Sequence, residues 1–130
     1  NAEEIHSDLD QPAREKVLMS FRNKELSILV ATDIVSRGID IEDIDMVINF
    51  DVPNDGEDYI HRIGRTARAQ AKGAAITLIN EKDQGKFATI EKLLGKQVYK
   101  GAVPVHLGEG PSYDPKKHKS TYRKGGFRKK

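Results

Sequence analysis

Three arginines and a histidine lie within the stretch HRIGRTAR, residues 61–68, and no acidic residue lies among them. Like charges three or four residues apart on a helix repel each other by about a few tenths of a kcal/mol per pair. Guanidinium groups suit phosphate, because their forked donors reach two oxygens at once and stay charged at physiological pH. The cluster is therefore a candidate anion clamp. A solvated basic surface is the alternative that the spacing leaves open.

A helix over about residues 55–65 would sort this region into two stripes, since residues three, four and seven apart share a face. The apolar stripe, which could lie on a sheet, holds Ile60, Ile63 and Ala67, and the basic stripe holds His61, Arg65 and Arg68. The arginines would then project together from near the end of the helix.

Short apolar runs rich in β-branched residues predict buried strands, and amphipathic patterns predict helices. The strands are expected within residues 26–33, 46–50 and 74–80, and the other helices over residues 11–24 and 81–94. The predicted apolar faces of those two helices are Val17, Leu18 and Phe21 in the first, and Phe87, Ile90, Leu93 and Leu94 in the second. Alternating helices and continuous apolar strands indicate an α/β fold with a mainly parallel sheet covered on both faces.

Polar side chains follow the predicted strands at their carboxyl ends. They are Thr32 and Asp33 after the first strand, Asp51 after the second and Asn80 after the third. Ligands of parallel sheets gather beyond these ends. We expect a site near the first two strands.

Composition excludes several classes of function. The 130 residues suit one domain, contain no cysteine for a disulfide or thiolate metal site, and include no apolar run of the roughly 20 residues that span a bilayer. Neither a GxxxxGK[ST] phosphate loop nor a GxGxxG sequence occurs, and the four histidines are scattered. We expect no metal site, no membrane partner and no complete catalytic apparatus within this chain.

The net charge of +2 is unevenly distributed along the chain. Residues 109–130 carry +6, and the preceding 108 residues carry −4. We predict a folded domain over residues 1–108 and a flexible basic tail over residues 109–130.

Several motifs, in this order, resemble the C-terminal RecA-like domain of the DEAD-box RNA helicases of helicase superfamily 2. They are IHSDLDQPAREKVLMSFR (5–22), VATDIVSRGID (30–40), VINFDVPNDGEDYIHR (47–62) and HRIGRTAR (61–68). The resemblance implies a three-layer RecA-like fold whose first strand and helix would precede Ile5. It also implies ATP as the nucleotide, with Mg²⁺ held mainly by a separate N-terminal RecA-like domain that carries the phosphate loop.

The resemblance assigns roles to individual residues. Arg65 and Arg68 would be catalytic arginine fingers on the γ-phosphate, with His61 beside them. Gly38 and Asp40 would meet the ATP ribose. The RNA contacts would be Gln11, Arg14, Thr32 and Asp33, and the residues that face or couple to the other domain would be Arg37, His61 and Arg62.

The implied function is the C-terminal half of an ATP-dependent RNA helicase, expected in the cytoplasm and inactive as an isolated chain. Two alternatives stay open. One is a non-catalytic module that binds RNA or a protein partner, and the other is a related superfamily 2 helicase that acts on DNA.

Overall fold

The protein is described here by a computed structural model that covers residues 1–66 and 73–117, apart from the side chain of Ile34. The strands in this part are β1 (Ala2–Ile5), β2 (Ile28–Ala31), β3 (Met46–Asn49) and β4 (Ala74–Thr77). The α-helices are α1 (Gln11–Arg22), α2 (Asp33–Ser36), α3 (Gly56–Ile63) and α4 (Gln84–Leu94), and single 3₁₀ turns occupy Glu81–Asp83 and Val105–Leu107. The chain divides into two compact units, Asn1–Thr77 and Leu78–Lys130.

All strand pairing in the described part of the first unit is parallel. Strand β1 pairs with β2 from Ala2 opposite Ile28, and β3 pairs with β4 from Met46 opposite Ala74. The parallel strands and intervening helices confirm the predicted α/β class. Strand β1 was not predicted, because its sequence AEEI offers a single large apolar residue, Ile5, which is 1% exposed.

Helix α1 covers the buried core of the first unit. Asp10 caps the helix by accepting a hydrogen bond from the backbone N–H of Ala13 at 2.9 Å. The core consists of Ile5, Ile39 and Ile41, and the α1 residues packed on it are Val17, Leu18 and Phe21. The predicted apolar face of this helix is confirmed.

Other apolar strand residues remain exposed. They are Ile28, Val30, Met46, Ile48 and Ile76, each between 45% and 60% exposed. These side chains alternate along their strands with residues that point to the opposite face. The expectation that both sheet faces are covered is therefore not met at these positions.

Helix α3 buries a residue that its apolar stripe did not indicate. Asp55 caps the helix by accepting a hydrogen bond from the N–H of Glu57 at 2.9 Å. Tyr59 is 4% exposed, whereas Ile60 is 39% exposed. Of the predicted apolar stripe, Ile63 is half-buried on the same face as Tyr59, Ile60 was wrongly placed, and Ala67 lies outside the described residues.

Helix α4 of the second unit buries two polar residues, Gln84 and Glu91, together with Phe87 and Ile90. Leu93, which was predicted on the buried face, is 56% exposed. The buried helix positions are therefore i, i+3, i+6 and i+7, and polar residues occupy the first and the last. Such burial requires hydrogen-bond partners for both polar side chains.

The partners come from residues 98–114. Gln84 donates to the carbonyl of Ser112 at 2.8 Å and accepts from the N–H of Asp114 at 2.7 Å. Glu91 accepts hydrogen bonds from the Val98 N–H at 2.7 Å, the Tyr113 hydroxyl at 3.0 Å and the Lys100 ammonium. The Lys100 ammonium also lies 4.5 Å from the centre of the Tyr113 ring.

These contacts hold the first part of the predicted tail, up to Asp114, against α4. Residues 118–130 lie outside the described residues. The boundary at residues 108 and 109 stays a prediction.

Opposing effects act on the Glu91 carboxylate. Burial raises its pKa, but the hydrogen bonds from Lys100, Val98 and Tyr113 outweigh burial and hold the pKa below its usual range. Burial and the hydrogen bond to Glu91 raise the pKa of Tyr113 to about 12.

Tyr113→Phe tests this arrangement in an absorbance titration of tyrosinate formation. The chain has four tyrosines, and an unperturbed tyrosine titrates near about pH 10. In the folded protein, the variant should lose the absorbance change that Tyr113 contributes near pH 12. Because the folded pKa is raised, the stabilisation from the Tyr113 phenol is complete below about pH 10 and is lost as the pH approaches about 12.

Wild-type protein in urea, where every tyrosine should titrate near pH 10, is the control for the Tyr113 titration. A variant that instead loses its share of absorbance near pH 10 would contradict the described contact between Tyr113 and Glu91.

Gly73 begins the approach to β4 where there is no room for a side chain. A Cβ atom on Gly73 would lie 2.1 Å from the carbonyl oxygen of Thr66, whose own side chain is buried. Gly73→Ala should therefore destabilise the first unit by about 1–3 kcal/mol, the usual cost of overpacking. Urea denaturation measures the change. Gly101→Ala is the control, since its Cβ would meet nothing closer than 3.9 Å, and equal stability of the two variants would contradict the tight contact.

Candidate nucleotide and RNA site

Arg65 and Asp40 face each other across the first unit. The Nη1 atom of Arg65 lies 3.7 Å from Oδ1 of Asp40, although 24 residues separate them. The Asp40 side chain is 86% exposed and that of Arg65 is 32% exposed. The resemblance assigns Arg65 and Asp40 to the same nucleotide. The two side chains thus lie at one solvent-accessible edge.

Burial on either side positions Asp40. Ile39 is 8% exposed and Ile41 is 5% exposed, and both belong to the core beneath α1. The N–H of Gly38 donates to the carbonyl of Val35 at 3.0 Å, which ties the start of the segment to α2. We call residues 38–41 the Asp40 loop. Its two isoleucines turn inward, so the carboxylate between them faces solvent.

The structure leaves room for a side chain at Gly38. A Cβ atom there would meet nothing closer than the Val35 carbonyl oxygen at 3.7 Å, an ordinary van der Waals contact. The described part of the fold does not itself require glycine at this position.

Arg65 is positioned by its backbone. The carbonyl of Arg65 accepts from the N–H of Ile44 at 3.3 Å, and its N–H donates to the carbonyl of Arg62 at 3.2 Å. Thr66, which follows, is 4% exposed and donates its hydroxyl to the carbonyl of Ile63 at 2.9 Å. The backbone after α3 is thus held on both sides of the Arg65 side chain.

Arg62 lies in a polar network inside the first unit. Its Nη2 donates to Oδ1 of Asp33 at 2.6 Å, and its Nη1 donates to Oδ1 of Asn49 at 3.2 Å. Asn49, which is 3% exposed, donates in turn to the Thr77 hydroxyl at 3.2 Å. Arg62 was predicted to face another domain and Asp33 to contact RNA, yet here the two side chains bind each other.

Arg37 is paired as well. Its Nε and Nη2 both donate to Oδ2 of Asp58, at 3.0 and 2.5 Å. This hydrogen-bonded carboxylate raises the pKa of Arg37 further above its ordinary value. The pair joins the end of α2 to the first turn of α3.

The predicted RNA residues lie on two elements. Thr32 caps α2 with its backbone, is exposed, and makes no side-chain capping hydrogen bond. Gln11 donates to Glu15 at 3.1 Å along the surface of α1. The Nε atom of Arg14 is buried and has no hydrogen-bond partner in the part of the chain that the structure describes.

His61 is exposed in the last turn of α3. Arg68, the second predicted arginine finger, lies outside the described residues, as does Ala67. Of the three residues in the predicted basic stripe, the structure therefore describes His61 and Arg65.

Two contributors to the site were missed by sequence reasoning, namely Arg22 and Asn49. Arg22 donates to the backbone carbonyl of Asp40 at 2.9 Å from the end of α1. No local pattern marks either contact, because the partners stand 18 and 13 residues away.

Within residues 1–66 and 73–117, no group of three or more histidine, aspartate or glutamate side chains could hold a metal ion. The helices in these ranges also lack the length and apolar character needed to cross a membrane.

Comparison with known proteins shows which family the chain belongs to. A family model described as the helicase conserved C-terminal domain matches residues 1–70, more than half of the chain. The chain is 48% identical over 97 residues to the ATP-dependent rRNA helicase RRP3 of Encephalitozoon cuniculi, covering 75% of this chain and 24% of that relative. The chain thus spans about a quarter of that relative's length.

Solved structures show the same fold. The C-terminal domain of the DEAD-box protein Dbp5 superimposes with a TM-score of 0.68 at 36% identity, over 72% of this chain and 56% of that one. Dbp5 of Saccharomyces cerevisiae bound to RNA and ADP BeF3 gives a TM-score of 0.68 at 34% identity, over 75% of this chain and 27% of that one. The chain belongs to the helicase conserved C-terminal domain family, in the form found in DEAD-box RNA helicases.

Proposed function

We propose that this chain is the C-terminal RecA-like half of an ATP-dependent RNA helicase of the DEAD-box type. In the complete protein, ATP and RNA would bind between this domain and an N-terminal RecA-like domain, and unwinding of RNA duplexes would be coupled to ATP hydrolysis. The observation that carries the proposal is the 3.7 Å approach of Arg65 to Asp40 at one accessible edge. The two side chains meet although no local spacing brings them together.

On the nucleotide side, Arg65 would stabilise the charge that spreads over the γ-phosphoryl oxygens during transfer. An arginine finger of this kind accelerates GTP hydrolysis by roughly 10³- to 10⁵-fold. Arg68 would be the second finger. Asp40 would accept hydrogen bonds from the ribose hydroxyls, and Gly38 would let the nucleotide approach the backbone.

Arg65 can exchange Asp40 for a phosphate at little cost. Exposed ion pairs contribute about 0–1 kcal/mol, because water screens them. The Asp40 carboxylate is mostly exposed, and its separation from Arg65 exceeds the length of a direct hydrogen bond. The ion pair would therefore orient the Arg65 guanidinium in advance and still release it to a phosphate.

On the RNA side, Thr32, Asp33, Gln11 and Arg14 would contact the sugar–phosphate backbone. Such contacts position a protein without reading bases, so we expect little sequence preference. Support comes from the S. cerevisiae relative of the same fold that binds RNA together with ADP BeF3. The buried Arg14 Nε is a donor that a bound phosphate could approach after a small side-chain movement.

Coupling to the N-terminal domain would involve His61, Arg62 and Arg37. His61 is exposed and could reach another domain directly. Arg62 would act through Asp33, and Arg37 through Asp58, because each guanidinium is already paired. Mg²⁺ would be held mainly by the N-terminal domain, and we propose the cytoplasm as the location of the protein.

Arg65→Ala in the complete protein tests the proposal. Steady-state ATP turnover with saturating RNA should fall by about 10³-fold or more, because the transferring phosphoryl group loses its preorganised cation. The melting temperature should change little, since the pair with Asp40 is exposed. Arg65→Lys keeps the positive charge but loses the paired guanidinium donors, so its ATP turnover should remain strongly impaired.

If Arg65→Ala keeps ATP turnover within about threefold of the wild type, the arginine cluster is a solvated basic surface and not a phosphate-binding site. RNA and DNA duplexes of one sequence, offered in competition to the wild type, would separate the RNA helicase from a helicase that acts on DNA. ATP hydrolysis by the isolated 130-residue chain with RNA present would contradict a site shared by two domains.

A further inference from the structure

The last turn of α1 reaches the Asp40 loop through Arg22. The Nη2 atom of Arg22 donates to the backbone carbonyl oxygen of Asp40 at 2.9 Å. No resemblance or motif assigned a role to Arg22. The hydrogen bond is directed at the peptide group that carries the candidate ribose ligand, so Arg22 differs from the other basic residues along α1.

The rest of the Asp40 loop is fixed by apolar burial. Ile39 and Ile41 are held beneath α1 by Val17, Leu18 and Phe21. Burial fixes where the loop lies, but two buried side chains leave the peptide group between them able to tilt. A tilt of that peptide group would move the Asp40 carboxylate, which is 86% exposed.

We infer that Arg22 is a positioning residue for nucleotide binding, which holds the Asp40 peptide group so that the carboxylate meets the ribose hydroxyls. Arg22 itself would touch neither the nucleotide nor the reacting phosphate. The inference rests on the proposed function, because it takes the contact between Asp40 and the ribose from there.

The contact suits this role chemically. A guanidinium keeps its charge at all physiological pH values, and its donors have a fixed geometry that a carbonyl oxygen can accept along one direction. Arg22 also lies at the carboxyl end of α1, where a cation is favoured by the helix dipole. Both effects favour one orientation of the side chain, with its head at the Asp40 carbonyl.

The experiment compares steady-state kinetics of the complete protein at saturating RNA. Arg22→Ala should raise the KM for ATP by about three- to tenfold, which corresponds to the loss of one hydrogen bond of ordinary strength. The kcat should stay within about twofold, because the arginine fingers are untouched. Arg22→Lys should restore part of the affinity, since an ammonium group can donate to the same carbonyl.

Lys16→Ala is the matched control, because it removes an exposed cation from the same helix and should leave KM unchanged. RNA affinity in the absence of nucleotide should be the same in Arg22→Ala and wild type. An Arg22→Ala protein whose melting temperature and kcat fall while its KM is unchanged would show a general structural role and overturn the inference.

Asp40→Ala separates failure of the inference from failure of the proposed function. If Asp40→Ala leaves the KM for ATP unchanged, the proposed ribose contact is wrong and the role of Arg22 is lost with it. If Asp40→Ala raises KM and Arg22→Ala does not, the proposed function stands and the inference about Arg22 alone is refuted.

Discussion

The burial of Ile39 and Ile41 beneath α1 is the constraint on which the rest of the first unit's site depends. These two side chains share a core with Ile5 of β1, so the Asp40 loop is bound to both a strand and a helix. Because the residues on either side of Asp40 are buried, its carboxylate is forced outward. Arg65, anchored by its backbone to Ile44, then meets that carboxylate at the surface.

Arg62 and Arg65 differ in how firmly their side chains are held. Arg62 donates to Asp33 and to buried Asn49, and its removal would leave a buried amide oxygen unpaired at a cost of about 1–3 kcal/mol. Arg65 has an exposed partner at 3.7 Å, an interaction of about 0–1 kcal/mol. The Arg62 guanidinium is therefore held firmly within the fold, whereas the Arg65 guanidinium has a weak, exposed ion pair. The carboxylates of Asp33 and Asp40, which lie far away in sequence, offset the positive charges of Arg62 and Arg65.

Local patterns were sufficient to predict α1, α3, α4 and three of the four described strands. The apolar face of α1 was correct because Val17, Leu18 and Phe21 follow helical spacing. Strand β1 and the short helix α2 were missed, since four residues are too few to show a period. Leu93 was wrongly predicted to lie on the buried face of α4. The burial of Glu91 was not predicted, because a carboxylate is buried only where it has hydrogen-bond partners, and partners such as Tyr113 come from later in the chain.

The candidate site was predicted in its residue types but not in its pairings. Motif resemblance pointed to Asp40 and Arg65, and the structure brings these two together. The pairs Arg62–Asp33, Arg37–Asp58 and Arg22–Asp40 span 18 to 29 residues. Helical or strand periodicity carries no information at such separations, so these contacts follow only from the folded chain.

The most direct test of the account is a crystal structure of the complete protein with RNA and ADP–beryllium fluoride, in which the position of the Arg65 guanidinium is measured. We predict that an Arg65 nitrogen lies within hydrogen-bonding distance of the fluoride atoms that stand for the γ-phosphate oxygens, about 2.7–3.2 Å, while Asp40 contacts the ribose. An Arg65 that remains on Asp40 or turns to solvent, with no contact to the phosphate mimic, would contradict the account.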